Sequence, residues 1–230
     1  MNAALIGATG LIGQLLLQKL IDSDCYENIV LIGRSAPQYQ ANGKTQVTFI
    51  ACQLSEIATL TLPVAIDHAF CCLGTTIKQA GSQQAFIAVD KTACLDFISK
   101  CQASANFVVT ALGANSQAKS FYNRVKGQTQ EALSQLLAET QQAASPKRLW
   151  LFQPSLLLGK RSESRLLEDA AKNAFRFVSA VFVGPLHQYR PIAAEQVAAA
   201  MLSCAIAAQD PESESIQRVM IVSNKEMLAS

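Results

Sequence analysis

Three glycines, spaced as Gly7-Ala8-Thr9-Gly10-Leu11-Ile12-Gly13, stand between the apolar run Ala3-Ala4-Leu5-Ile6 and a helical pattern over residues 11–21. In that pattern Leu15, Leu16, Leu20 and Ile21 are apolar, while Gln14, Gln18 and Lys19 are polar. A turn without side chains between a strand and a helix presents backbone N–H groups, and the helix N-terminus adds the positive end of its dipole. Both suit a phosphate. The GxxGxxG spacing is one residue longer at its start than the usual dinucleotide fingerprint. Gly7 is expected to end the strand, Gly10 to let a pyrophosphate touch the chain, and Gly13 to allow close helix–sheet packing. Gly7, Thr9, Gly10, Leu11, Ile12 and Gly13 are thus the expected diphosphate cradle. A buried βα turn without a ligand is the competing reading.

The rest of the chain repeats the strand-then-helix alternation. Apolar runs at 3–6, 29–32, 47–50, 65–73, 107–112, 149–152 and 219–222 alternate with helix candidates at 11–22, 82–102, 120–142, 163–181 and 194–208. Strands apolar on both faces indicate an α/β fold: a doubly wound, mainly parallel sheet with helices on both faces. Right-handed crossovers then gather the strand C-termini on one edge, where ligands bind. Residues 1–230 fit one domain, with 159–191, which breaks the alternation, as a small substrate-side cap. Half of the residues are hydrophobic, and the net charge of +2 has no basic run behind it, so no nucleic-acid partner is expected. The first helix carries glycines and polar residues, so neither a membrane span nor a signal sequence is expected, and a cytoplasmic location follows. The seven cysteines read as small buried hydrophobes. With two histidines and no suitable spacing, no metal site is expected.

At the end of the second strand a dinucleotide-binding fold keeps the residue that faces the adenosine ribose. Here Gly33-Arg34-Ser35 carries no carboxylate, and Arg34 with Ser35 suits a 2′-phosphate, so NADP(H) is expected over NAD(H). The third strand ends Cys52-Gln53-Leu54, which puts Gln53 and Leu54 near the adenine. The later strand ends add Leu73, Gly74, Thr75, Pro154 and Leu156 to the expected cofactor contacts.

Tyr122-Asn123-Arg124-Val125-Lys126 sets a phenol and an ammonium four residues apart, on one face of a helix. A phenol exchanges protons sluggishly near neutrality, and a cationic neighbour favours its ionised form. Such a pair suits proton exchange with a carbonyl or alcohol oxygen. A core aromatic with a solvated lysine one turn on is the bland alternative. GATGLIG at 7–13, TALGA at 110–114 and YNRVK at 122–126 make the chain resemble the atypical branch of the short-chain dehydrogenase/reductase superfamily. CCLGTTIKQAGSQQAFIAVD at 71–90 and FYNRVKG at 121–127 resemble the Tat-interacting-protein-type oxidoreductases and their bacterial relatives. The resemblance implies a Rossmann fold, NADPH, and Tyr122 and Lys126 in the catalytic positions. The family serine that polarises the substrate carbonyl falls on Thr110, with Ala111 the alternative match.

The expected activity is that of an NADP(H)-dependent oxidoreductase on a small-molecule carbonyl or alcohol. A non-catalytic NADPH sensor and a nucleotide-sugar epimerase or dehydratase are the alternatives. A homodimer through the helices at 82–102 or 120–142 is compatible with their apolar faces. His187 is weighed as a substrate contact, and His68 is expected to be structural.

Overall fold

The apolar runs pair side by side, every neighbour parallel. The computed structural model describes residues 1–139, 147–158, 188–209 and 218–229. Its main strands are β1 (Asn2–Ile6), β2 (Asn28–Gly33), β3 (Gln46–Ala51), β4 (His68–Cys71), β5 (Ala105–Val109) and β6 (Arg148–Gln153). A two-stranded pair follows, β7 (Leu157–Leu158) with β8 (Ile192–Ala193), and β9 (Val219–Ser223) completes the large sheet. The order is β3-β2-β1-β4-β5-β6-β9, so the direction of winding reverses between β1 and β4. A crevice opens at such a reversal because the crossovers on its two sides leave toward opposite faces.

The helices are α1 (Leu11–Asp22), α2 (Ile77–Ala80), α3 (Gln83–Ile87), α4 (Ala93–Cys101), α5 (Phe121–Glu139), α6 (Ala194–Ala207) and α7 (Asn224–Ala229). A 3₁₀ turn covers Leu54–Thr59, and a π-turn at Ala88–Thr92 joins α3 to α4. The two-residue period of the strands sorts their side chains between two cores. Ala3, Leu5, Ile29, Leu31, Phe70 and Phe107 face α1 and α6. Ala4, Ile6, Val30, Ile32, Cys71 and Val108 face α4 and α5. On the first face Phe70, Phe107 and Trp150 stack across three adjacent strands at centroid spacings of 4.8 Å, which strand register enforces. Each such pair contributes about 0.5–1.5 kcal/mol beyond the area it buries.

Most expected boundaries match within a few residues, and the departures have local causes. The strand expected at 65–73 is shortened to His68–Cys71, because Asp67 accepts the Asn2 N–H with its carboxylate before the ladder begins. The strand expected at 107–112 begins two residues earlier. Asn106 is fully buried there, its amide donating to the carbonyls of Ala103 and Arg148, so a polar residue hid the strand's start. The helix expected at 82–102 is interrupted by the π-turn, and Ser82 caps it through the Ala85 N–H. The helix candidate at 163–181, His187 and most of the cap at 159–191 lie outside the described residues. No described helix is long and apolar enough to cross a membrane. All seven cysteines are free, with Cys71 in one core and Cys72 packed against the other.

Helix α5 docks unusually closely. A Cβ on Gly127 would lie 2.1 Å from the Asn115 carbonyl carbon and 2.2 Å from the Ser116 nitrogen. Both are backbone atoms of the loop after β5, which cannot give way as a side-chain tip would. Gly127→Ala is expected to cost about 1–3 kcal/mol and lower the thermal midpoint by about 3–10 °C, read by calorimetry.

His68 is 3% exposed, and its Nδ1 shares a 2.8 Å hydrogen bond with the Tyr26 hydroxyl. Burial, then the charges of Arg148 and the chain N-terminus, push its imidazole down to about 4 against the opposing pull of Asp67. Between the unfolded value of 6.5 and that level, the unfolded chain binds the extra proton, so stability falls as pH drops through this window. The gap corresponds to about 3 kcal/mol. Urea unfolding at pH 7.5 and 4.5 should show a loss in the wild type that is smaller by up to that amount in His68→Gln.

Candidate cofactor and substrate site

The turn after β1 is built from backbone contact. Gly7 has φ +83°, and a Cβ there would meet the Cys72 carbonyl group at 2.6 Å; one on Gly13 would lie 2.1 Å from the Gly7 oxygen. Those two glycines are therefore required by the chain's own packing. Gly10 differs: it is exposed, and its Cβ position lies 3.2 Å from the Gly7 oxygen. Its N–H donates to that oxygen at 3.0 Å and closes the turn. Helix α1 begins at the next residue with no side-chain cap and no acid in its first turn. The N–H groups of Leu11, Ile12 and Gly13 are those that helix geometry leaves without an intrahelical acceptor. Thr9 is exposed beside them, whereas the Ile12 side chain belongs to the core.

At the neighbouring strand ends, Arg34 and Ser35 are exposed beyond β2, and Arg34 has no hydrogen bond or ion pair among the described residues. Gln53 is also exposed, and its N–H donates to the Glu56 carboxylate at 2.8 Å. Leu54 packs partly against the second core. Beyond β4, Leu73 is half-buried and Gly74 exposed, while the Thr75 N–H donates to Asp90 Oδ2 at 3.0 Å.

Asp90 is a residue the sequence reading missed. It sits in the π-turn with its side chain fully buried, and its Oδ1 lies 2.7 Å from the Lys126 ammonium, itself 5% exposed. Burial works to depress the lysine, but the Asp90 carboxylate and then the Tyr122 phenol outweigh it, holding the amine above its usual range. The Asp90 carbonyl also accepts the Thr129 hydroxyl of α5 at 3.1 Å. One residue thus ties the loop after β4 to the helix that bears Tyr122. The run at 71–90 ends on Asp90, but only the fold reveals its partner, 36 positions further on. Gly127, discussed above, is the second such omission.

Tyr122 packs on Phe86, ring centroids 5.6 Å apart, and its hydroxyl has no protein partner among the described residues. It lines a cavity of about 860 Å³ with residues 110–113, Asn123, 154–157, Gln188 and Tyr189. The cavity lies at the C-terminal ends of β5 and β6, on the same sheet edge as the glycine turn. Pro154 and Leu156 are in its wall, Leu156 largely exposed. Thr110 is there too, but its single proton goes to the Phe152 carbonyl at 3.0 Å while its oxygen accepts the Gln130 amide at 2.8 Å. The hydroxyl expected to polarise a substrate oxygen is committed to the protein, because the chain crossing over to β6 brings that carbonyl alongside it. Behind the cavity, fully buried Asn224 donates to the Gln188 and Arg190 carbonyls and accepts the Ser155 N–H, fastening the far wall to α7. Among the described residues no cluster of His, Cys, Asp and Glu could hold a metal.

No family model matches the chain. Among curated proteins it is 27% identical to protein HTATIP2 of Rattus norvegicus over 74% of this chain and 69% of that one. It is 29% identical to the mitochondrial protein fmp52 of Emericella nidulans, over 74% and 73% of the two chains. Among solved structures, a short-chain type dehydrogenase/reductase from Mycobacterium ulcerans superposes with TM-score 0.69 at 12% identity, covering 99% of this chain and 90% of that one. MoeE5, solved with UDP-glucose and NAD, gives TM-score 0.65 at 12% identity over 100% and 80%. The fungal relatives are named as mitochondrial proteins, which overturns the cytoplasmic location expected from the sequence. In sequence the chain is similar to HTATIP2 and FMP52, and its fold is that of solved short-chain dehydrogenase/reductase structures.

Proposed function

We propose that the chain is an oxidoreductase that binds NADP(H) and exchanges a proton between Tyr122 and the oxygen of a carbonyl or alcohol substrate. The observation that carries this reading is a phenol in a cavity wall, without a partner among the described residues, on the sheet edge where α1 opens its N-terminus. The residues present fit a dinucleotide. Gly10 leaves the turn bare, the first-turn N–H groups meet a diphosphate, and exposed Arg34 with Ser35 meets a 2′-phosphate. When bound, the cofactor supplies the electron pair that no side chain here can give.

Tyr122 gives its proton to the substrate oxygen during reduction and takes it back during oxidation. Lys126, buried and charged beside Asp90, stays within electrostatic reach of that phenol and is held at a fixed position by the ion pair. Burial of such a pair holds a long, flexible side chain in one geometry at a desolvation cost that only close pairing offsets. The committed proton of Thr110 favours a second reading, a cofactor-binding sensor without turnover.

Calorimetric titration should give NADPH at least about tenfold tighter than NADH, with Arg34→Ala erasing the difference by weakening NADPH alone, since a charge-assisted bond contributes about 1.5–3 kcal/mol. Equal wild-type affinities remove the cofactor assignment. In NADPH oxidation with neutral aldehydes, ketones and quinones, Tyr122→Phe should lower kcat by about 10²–10⁴-fold with cofactor affinity unchanged. Tight NADPH binding without turnover of any carbonyl selects the sensor.

A further inference from the structure

We propose that Asn123 is the residue that anchors the substrate's carbonyl oxygen, and that the cavity takes uncharged carbonyl compounds with an apolar body. The choice of a carbonyl rests on the oxidoreductase reading; the role of Asn123 as an amide donor rests on the cavity alone.

A carbonyl oxygen brought to Tyr122 needs a second donor to hold it, and Thr110 has no proton to offer. Asn123, next to Tyr122, lines the same cavity. Its side chain has no hydrogen-bond partner among the described residues, although its backbone carbonyl is taken by the Asn115 N–H at 3.0 Å. The carboxamide lies against Gly113. A Cβ there would come within 3.2 Å of Asn123 Nδ2, and Gly113 has φ +76°, a conformation that L side chains rarely adopt. The glycine therefore both permits the turn and leaves room for the amide in the wall.

The remainder of that wall is uncharged and mostly apolar, with Ser155, Gln188 and Tyr189 as its polar members. No Lys, Arg, His, Asp or Glu among the described residues lines it, whereas Leu112, Pro154, Leu156 and Leu157 do. Leu156 is 70% exposed and Tyr189 50%, so the apolar surface extends to the mouth. A charged substrate would leave its hydration there for no compensating partner. A neutral one gains from apolar burial and needs only a few oriented polar groups. Tyr122 and Asn123, side by side on α5, are such groups, with Gln188 and Tyr189 across the cavity from the segment before β8.

Acetophenone and its alkene isostere α-methylstyrene, differing in C=O against C=CH₂, separate hydrogen bonding from shape. Binding of each to the full chain with NADPH present is measured by ligand-observed NMR, together with NADPH oxidation by acetophenone. Asn123→Leu should weaken acetophenone at least tenfold and leave α-methylstyrene and NADPH affinities within twofold. Asn123→Asp keeps the size, removes the donor, and should lose acetophenone at least as strongly. 4-Acetylbenzoate, which adds one carboxylate, should bind wild type at least tenfold more weakly than acetophenone. An equal loss for both isosteres in the variants, undiminished acetophenone binding, no acetophenone binding to wild type, or a preference for 4-acetylbenzoate overturns the proposal. Asn123-dependent acetophenone binding with no turnover of acetophenone or of any carbonyl in the panel above would sink the oxidoreductase reading and leave this one standing. Turnover whose kcat/KM ignores Asn123 does the reverse.

Discussion

The ligand edge of this molecule is organised by two stretches of bare backbone pressed together where β1 and β4 end. Gly7 sits so close to the Cys72 carbonyl, and Gly13 to the Gly7 oxygen, that a methyl group at either would need main chain to move. This contact sets the depth at which α1 starts and hence where its uncapped N–H groups point. It also divides labour among the three glycines. Two satisfy the fold, and the exposed one between them is the position free to meet a ligand.

The polar groups near the cavity follow a similar division between structure and chemistry. Asp90 holds Lys126 with one oxygen and the loop after β4 with the other, so the loop and α5 shift only together. A chain of amides and hydroxyl, from Gln153 through Gln130 to Thr110, ends on the Phe152 carbonyl and is internally satisfied. Such networks rigidify a site but leave nothing to offer a substrate. On the α5 side of the cavity the Tyr122 hydroxyl and the Asn123 amide remain without a partner among the described residues.

Periodicity exposed the sheet well because its strands are buried on both faces and need long apolar runs. The glycine spacing exposed the turn because no other residue type tolerates those contacts. Partnerships between distant side chains were not legible. Nothing local distinguishes Asp90 from an ordinary helical acid, and only the π-turn carries its carboxylate inward. Thr110 matched the family position by spacing, yet its proton is claimed by a carbonyl 42 residues away on the next strand. Asn106 fell outside the expected strand because one partner of its buried amide, the Arg148 carbonyl, lies 42 residues away. Asn224 was silent for the same reason.

The aromatic stack has one more consequence. Trp150, the chain's single tryptophan, lies against Phe107 in the middle of the β5–β6 pairing and is 9% exposed. Its indole emission therefore comes from one site, beside the two strands whose ends form the cavity walls. Any slippage of those strands would let water reach that ring and shift its colour to the red, which makes the native protein its own optical gauge of the sheet beneath the pocket.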